Sequence, residues 1–570
     1  MMPSSSSPTG SEGGGSGLRR WGPLVAIVAV LAVVAGLVLA GGGDDDDGDG
    51  TASGSSTTTG DGTGQTAGNG AISFSQAEEE GLDVEFSDTC DTETGRLMFP
   101  NYFAPECYAN VEDNGGATDD GVTADTIKVV VYIAPDDDPI LDFILGSIQN
   151  DDTAADFQAT YEGYNEIFGR VYQTYGRRVE LEFLQGSGNV TDAEAARADA
   201  IRAAEEMGAF AVWGGPALNA GWSEELNARG VLCIGCFPIP EPEPNVFSTT
   251  MSADQVREHI VEYVSKKLAG KPAVHAGDEA LHDQERVFAH LWIEASPDSA
   301  PNAQELRDRL SEEGVELAES IPFDIQRAGE QAPGIITRLK EAGVTSLIIQ
   351  GDPSTPALFT QAATAQEWFP EWIIGGSALM DTTAFARSYD QEQWSHAFGI
   401  STLPARTAPG VGGSQALYDW YFGELPPADD SSGVILPNPQ IFYGALQAAG
   451  PNLTTESMVQ ALYGINLVDD TITQVGFAYG DHGYYPGLPV PDHSGIEDAT
   501  EIWYDPTVTG IDEIGRDGIG GYQYADGGRR YLPGAWTDED LAFDPDGAIA
   551  VYEEPPERER VQDYPRPDDG

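Results

Sequence analysis

The sequence predicts an α/β fold of two lobes, each built on a parallel sheet. Three observations lead there. From about residue 120 onward, short runs rich in Val, Ile and Leu alternate with amphipathic helical stretches, the pattern of strands joined by crossover helices. The alternation comes as two series of similar size, with Pro244 between them. At 570 residues the chain is also too long for one ordinary hydrophobic core.

The first series opens at 127–133, a continuous β-branched run that Pro135 ends. A helix is expected over 153–175, where Phe157, Tyr161, Tyr164, Ile167, Phe168 and Tyr172 recur at near-helical spacing. Strand two is 178–184, and an Ala-rich helix headed by Thr191, acidic in its first turns, follows it. Strands three and four are 210–213 and 231–234. The second series begins with a helix over 252–268, then an irregular stretch to Glu285. A strand at 286–293, a helix at 302–314 and a strand at 317–323 come next. Helix 332–342 leads into strand 346–350, and helix 356–365 into strand 372–374. Two βαβ series point to two Rossmann-like lobes, not to one wide sheet. Helices at about 414–424, 437–449 and 455–463 precede a long tail rich in Gly, Pro, Tyr and Asp. Strand-like pieces in that tail, such as Ile502-Trp503-Tyr504, suggest an extension packed on a lobe.

The amino-terminal region reads differently. Residues 1–21 are Ser/Gly-rich and end in Arg19-Arg20-Trp21, a cytoplasmic tail by the charge rule below. An unbroken apolar run over 23–40 follows, with Asp44-Asp45-Asp46-Asp47 beyond it. Its length, about 18 residues, lies at the lower end of what crosses a bilayer as a helix. The arginines before it place the N-terminus inside and the rest of the chain outside. Segment 22–41 is read as an uncleaved transmembrane anchor, because the run exceeds a usual signal core. Val38-Leu39-Ala40 also suits a signal peptidase, which leaves a cleaved segment and a secreted chain as the alternative. Residues 42–72 are Gly, Ser, Thr and Asp, a flexible acidic tether. Asp45-x-Asp47-x-Asp49-Gly50 opens like a calcium loop, but its twelfth position is Ser56 where a Glu is required, so the spacer reading stands.

The chain carries 94 acidic and 28 basic residues, a net charge of -66. Such a surface repels phosphate backbones and excludes nucleic acid as a partner. Either a shell suited to a salty environment or compositional drift accounts for it. The four cysteines form two local pairs, Cys90 with Cys107 and Cys233 with Cys236. Outside the cytoplasm disulfides are their expected state. The second pair has CxxC spacing, which a redox site or half a zinc site also uses. It follows a strand end at Val231-Leu232 instead of opening a helix, which favours a structural disulfide.

Gly121-Val122-Thr123-Ala124-Asp125-Thr126-Ile127-Lys128-Val129 resembles the lead into the first strand of class I periplasmic binding proteins, in particular the leucine/isoleucine/valine-binding branch that serves ABC transporters. Asn245-Val246-Phe247-Ser248-Thr249-Thr250-Met251-Ser252-Ala253-Asp254-Gln255 is similar to that branch's first crossover between lobes. The order of elements agrees over roughly 120–465. The resemblance implies a periplasmic binding protein type I fold whose lobes are joined by a hinge of three crossings. It implies an extracytoplasmic protein on the outer face of the cell membrane that captures a small molecule and delivers it to an ABC transporter permease, with no cofactor and no metal. The expected domain map is a lead-in at 73–119 with the first Cys pair, lobe one at 120–248 and about 376–450, and lobe two at 249–375 and about 451–475. An irregular extension over 476–560 and a disordered tail at 561–570 complete it.

Ligands of open α/β sheets sit outside the carboxyl ends of the strands. The candidate ligand residues are therefore Asp136, Gly215, Pro216, Asn219, Phe237 and Ile239 in lobe one, and Asp298, Asp352, Ser354 and Ser377 in lobe two. Asn219, Asp352 and Ser377 stand foremost. Several have a plainer reading beside them: Gly214 and Gly215 as a turn, Phe237 as core, Asp298 and Asp352 as solvated caps or turn residues. Amino-acid binders of the branch hold the carboxylate with hydroxyl residues, where this chain has Gly215-Pro216-Ala217-Leu218 and Phe237-Pro238-Ile239. The expected acid for an ammonium is missing near Ser377-Ala378-Leu379. An apolar or larger solute, or one held through backbone groups, fits these loops better than a branched-chain amino acid.

No enzyme is expected. The nucleophile elbow GxSxG, HExxH and the P-loop are absent, and no GxGxxG follows the first strand. His482 and His493 lie in the tail without zinc spacing. The alternative function is a membrane-anchored extracellular sensor or interaction module without a transport role.

Overall fold

Continuous β-branched runs become the inner strands of two parallel sheets. The structure, a computed structural model, describes residues 70–135, 138, 141, 150–216, 219–236, 244–294, 299–324, 327–376, 379–408, 410–465, 467 and 471–566. The apolar run 23–40 and the acidic tether lie outside them, as do Asp136, Phe237, Ile239, Asp298 and Ser377. Among the described residues no helix is long and apolar enough to cross a membrane.

Lobe one is a five-stranded sheet of β1 (Thr126–Ile133), β2 (Arg178–Gln185), β3 (Ala211–Trp213), β4 (Leu232–Ile234) and β5 (Val246–Phe247), in the order β2-β1-β3-β4-β5. Every pairing is parallel. Helices cover both faces of a parallel sheet, so the inner strands are apolar throughout instead of alternating; Val129, Val130 and Val131 are all fully buried. The helix Ala154–Val171 starts at a capping box between Thr153 and Asp156, and buries Tyr161, Tyr164, Ile167 and Phe168. Its aromatic spacing, read from the sequence, is thus a core face.

Lobe two is built on β6 (Phe288–Ile293), β7 (Leu317–Phe323), β8 (Ser346–Gln350), β9 (Glu371–Gly375) and β10 (Ala397–Ser401), parallel in the order β7-β6-β8-β9-β10. The tail adds β11 (Ala499–Ile511) and β12 (Asp517–Tyr524) antiparallel beyond β10, with β13 (Arg530–Tyr531) pairing onto β11.

Two expectations are corrected. The map placed 376–450 in lobe one and 451–475 in lobe two. The strand β10 extends lobe two through residue 401, and the helices Gly413–Phe422, Pro437–Ala449 and Thr455–Tyr463 bury Tyr418, Phe442, Leu446 and Met458 in the lobe-one core. The chain thus fills the parallel sheet of lobe two before it crosses back. The strand was illegible because Gly399 interrupts a short run. That glycine is required by close approach: a Cβ there would stand 2.2 Å from the backbone oxygen of Ile374 on β9. The second correction concerns 476–560, expected to be irregular, which supplies β11 and β12 to the lobe-two sheet. Segments with Gly518, Gly520 and Gly521 take strand form through pairing, not propensity.

The chain passes between lobes near 248–252, 402–412 and 464–495. Both expected cysteine pairs are bonded, with Cα–Cα separations of 5.8 Å for Cys90–Cys107 and 5.9 Å for Cys233–Cys236. The first disulfide closes a loop within the lead-in, and both of its cysteines are buried in the lobe-one core.

Candidate functional site

The loops leaving lobe-one strands reach the other lobe. Leu141, after β1, and Val190, after β2, pack with the apolar cluster that holds Ile293, Phe323, Phe359 and Tyr389 of lobe two. Asp138 links these loops, its Oδ2 accepting from the Val190 amide at 2.8 Å. The carboxyl ends of the two sheets therefore meet across one cleft.

Most described residues foreseen for this cleft are occupied with the chain itself. Asn219 donates from Nδ2 to the Val190 oxygen at 3.0 Å and accepts the Gly221 amide at 3.2 Å, so it ties the loop after β2 to the helix Gly221–Ala228. Asp352, fully buried, accepts the amides of Ser354 and Thr355 at 2.8 and 2.9 Å and both of their hydroxyls. It thereby holds the amino end of the helix Thr355–Ala365, whose N-cap residue is Ser354. Burial raises its pKa, and those four hydrogen bonds oppose the rise. Ser354 is thereby held by Asp352. Gly215 backs onto Trp222, whose ring a Cβ would meet at 2.5 Å, and Pro216 is buried beside it.

A different set lines open space. Between the helices Ala253–Tyr263 and Ser299–Glu312, over the carboxyl ends of β6 and β8, lies a cavity of about 30 Å³. Arg257, His290, Trp292, Ser299, Asn302 and Gln350 face it. Gln350 donates from Nε2 to the Gly375 oxygen at 3.4 Å, which turns its Oε1 to His290 Nε2 at 2.8 Å. That contact assigns the imidazole proton to Nε2 and leaves Nδ1 a bare acceptor. His290 Nδ1 is buried with no partner among the described residues. Burial pushes the His290 pKa down to about 4, against a smaller upward pull from Gln350, so the ring is neutral at pH 7. Arg257 pairs with Asp254 at 2.8 Å and Glu305 at 3.1 Å, while its Nε is buried without a partner among the described residues. One cavity is thus lined by a neutral acceptor and a charge-compensated donor, a match for a group that both gives and takes a hydrogen bond. The space suits about one water-sized group.

An acid also stands nearer than sequence reading allowed. Asp381, just past Leu379, is buried and accepts from Ser401 Oγ at 2.5 Å. Burial pushes its pKa up to about 7 despite that bond. His290, Gln350 and Arg257 were missed because they lie inside β6, at the end of β8 and within a helix, not on the loops that leave the strands. A histidine in the otherwise apolar run of β6 was the available signal. No group of three or more His, Cys, Asp or Glu among the described residues is placed to hold a metal ion.

A family model described as periplasmic binding protein matches residues 153–486, more than half of the chain. The chain belongs to the class I periplasmic binding protein family. No curated protein matches it. Solved structures resemble this periplasmic binding protein at low identity. The branched-chain amino acid transporter substrate binding protein LivJ of Streptococcus pneumoniae, in complex with isoleucine, is 13% identical over 72% of this chain and 100% of its own, with a TM-score of 0.46. An ABC transporter substrate binding protein of Aeropyrum pernix is 12% identical over 73% of this chain and 97% of its own, with a TM-score of 0.49. An ABC transporter solute binding protein of Rhodopseudomonas palustris, in complex with 3,4-dihydroxy benzoic acid, is 13% identical over 74% and 99%, with a TM-score of 0.46. At these values the assignment rests on the family model. The periplasmic binding protein is a solute-binding, extracytoplasmic protein.

Proposed function

We propose that the protein is held at the outer face of the membrane by its apolar 23–40 segment, closes its two lobes around a small molecule, and delivers it to an ABC transporter. Binding is its whole task, without catalysis. The observation that supports the site is the cavity at the carboxyl ends of β6 and β8, where His290 Nδ1 and Arg257 Nε are buried without partners among the described residues. Buried polar atoms are ordinarily paired, so such atoms at a cleft mark where a ligand group is received. The loops with Gly215, Pro216 and Ser354 form the lips of the cleft. The solute offers a hydroxyl-sized polar group to lobe two, with the rest of it lying against apolar loops.

Native mass spectrometry of the purified chain, followed by identification of any co-purified small molecule, tests this reading. A defined solute released on unfolding, and bound more weakly by His290→Phe, supports it. An empty protein that no metabolite panel stabilises in thermal-shift assays overturns it. A large thermal shift with leucine or valine would overturn the preference against branched-chain amino acids.

A further inference from the structure

The last stretch of the chain does not stay with the lobe it extends. Ile549 pairs with Tyr524 at the end of β12, through amides at 2.8 and 3.1 Å, and both Ile549 and Tyr552 pack on the lobe-two cluster. Tyr552 then bonds to the second crossing: its amide donates to the Arg406 oxygen at 2.7 Å, and its oxygen accepts the Ala408 amide at 2.8 Å. Seven residues on, Glu559 is buried against the third crossing. It accepts the amides of Ile472 and Thr473 at 2.8 and 2.7 Å and the Thr473 hydroxyl at 2.6 Å. The segment ends on lobe one. There the Tyr564 oxygen accepts Trp420 Nε1 at 2.8 Å, the Tyr564 hydroxyl reaches Asp91 at 3.3 Å, and the Arg566 guanidinium lies 5.1 Å over the Tyr421 ring. Trp420 and Tyr421 sit on the helix Gly413–Phe422, whose Tyr418 meets Tyr164 in the lobe-one core.

From this path we infer that residues 549–566 are a strap across the hinge, a fourth link between the lobes that limits how far they open. The three crossings alone let a hinge swing through changes at a few backbone positions. A segment anchored on lobe two, bonded to two crossings and fastened to lobe one by an aromatic and cationic cluster must stretch or detach when the lobes part. Glu559 is the central fastening, because a buried carboxylate with three donors is costly to pull free. The inference rests on the two-lobe clamp reading, which fails separately if no solute binds.

Val434 on lobe one and Ile519 on lobe two are 72% and 68% exposed and serve as labelling positions. Spin labels on Val434→Cys and Ile519→Cys in the full chain, with its disulfides intact, report the inter-lobe distance. The strap predicts that ending the chain after Tyr552 adds a population at longer distance, and that Glu559→Gln in the full chain adds a smaller one. Where circular dichroism shows that the shortened chain does not fold, the Glu559→Gln distribution decides alone. A distribution unchanged from the native one in the folded variants overturns the strap.

Discussion

The two ends of the lobe-two sheet treat polar groups in opposite ways. At the amino end, Arg286 and Glu371 are fully buried and joined by two hydrogen bonds of 2.8 and 2.9 Å. The same carboxylate accepts from Ser346 Oγ at 2.5 Å and from the His275 amide at 3.1 Å. The charges there are spent on holding strands in register. At the carboxyl end, His290 and Arg257 keep a lone acceptor and a lone donor among the described residues, and Asp381 has its pKa displaced by burial. The sheet is locked by paired charges at one end and keeps unpaired polar atoms among the described residues at the other, the end where α/β proteins place ligands.

The comparison can be broken most sharply at Glu371. Glu371→Ala leaves the buried Arg286 guanidinium only Asp540, 3.7 Å away, and the Leu268 oxygen, and is expected to cost about 3 kcal/mol in urea unfolding, whereas replacing both Arg286 and Glu371 by apolar residues costs less. If the single variant unfolds like the native chain, the amino end is not a lock. The carboxyl end should show itself in pH dependence. Asp381 has its pKa raised from 3.8 to about 7, so the folded state holds a proton that the unfolded chain has lost. Its contribution is present below 3.8 and is lost as pH rises to 7, at a slope of about 1.4 kcal/mol per pH unit. His290 runs the other way. Its pKa falls from 6.5 to about 4, so stability declines as pH drops from 6.5 towards 4. Asp381→Asn and His290→Phe should each remove one of these slopes in denaturant titrations run across pH 3.5–8, a range of about the width those pKa values require.

Asp352→Ala removes a buried cap and is expected to lower stability by about 2 kcal/mol while leaving solute affinity unchanged. Loss of binding in that variant would return Asp352 to the ligand. His290→Phe is the mirror case. It should weaken solute binding about tenfold for one lost hydrogen bond, at a stability cost of about 1–3 kcal/mol, because the phenyl ring is larger than the imidazole and Gln350 Oε1 loses its donor. Calorimetry with the co-purified solute separates the two variants.

Reading the residues alone located most of the fold. The strands Leu317–Phe323 and Ser346–Gln350, and the helices Pro437–Ala449 and Thr455–Tyr463, fall where periodicity placed them. Long apolar runs and capped amphipathic stretches carry their own structure, because burial of their repeat is the same wherever they dock. Site residues were less legible. Asn219 and Asp352 were chosen as polar residues on loops after strands, and both bond to the chain itself, because what a polar side chain faces depends on neighbours that sequence does not order.

By itself, the sequence determined the α/β class, the two lobes, the cysteine pairing and the acidic surface, all of which follow from composition and local pattern. Tertiary structure alone decided that β10 and the Gly-rich tail join lobe two, that Gly399 must have no side chain, and that His290 meets Gln350 and Arg257 around one cavity. Those outcomes depend on pairing and close approach between segments far apart in the chain, where pleat, packing and desolvation act only once the fold has brought them together.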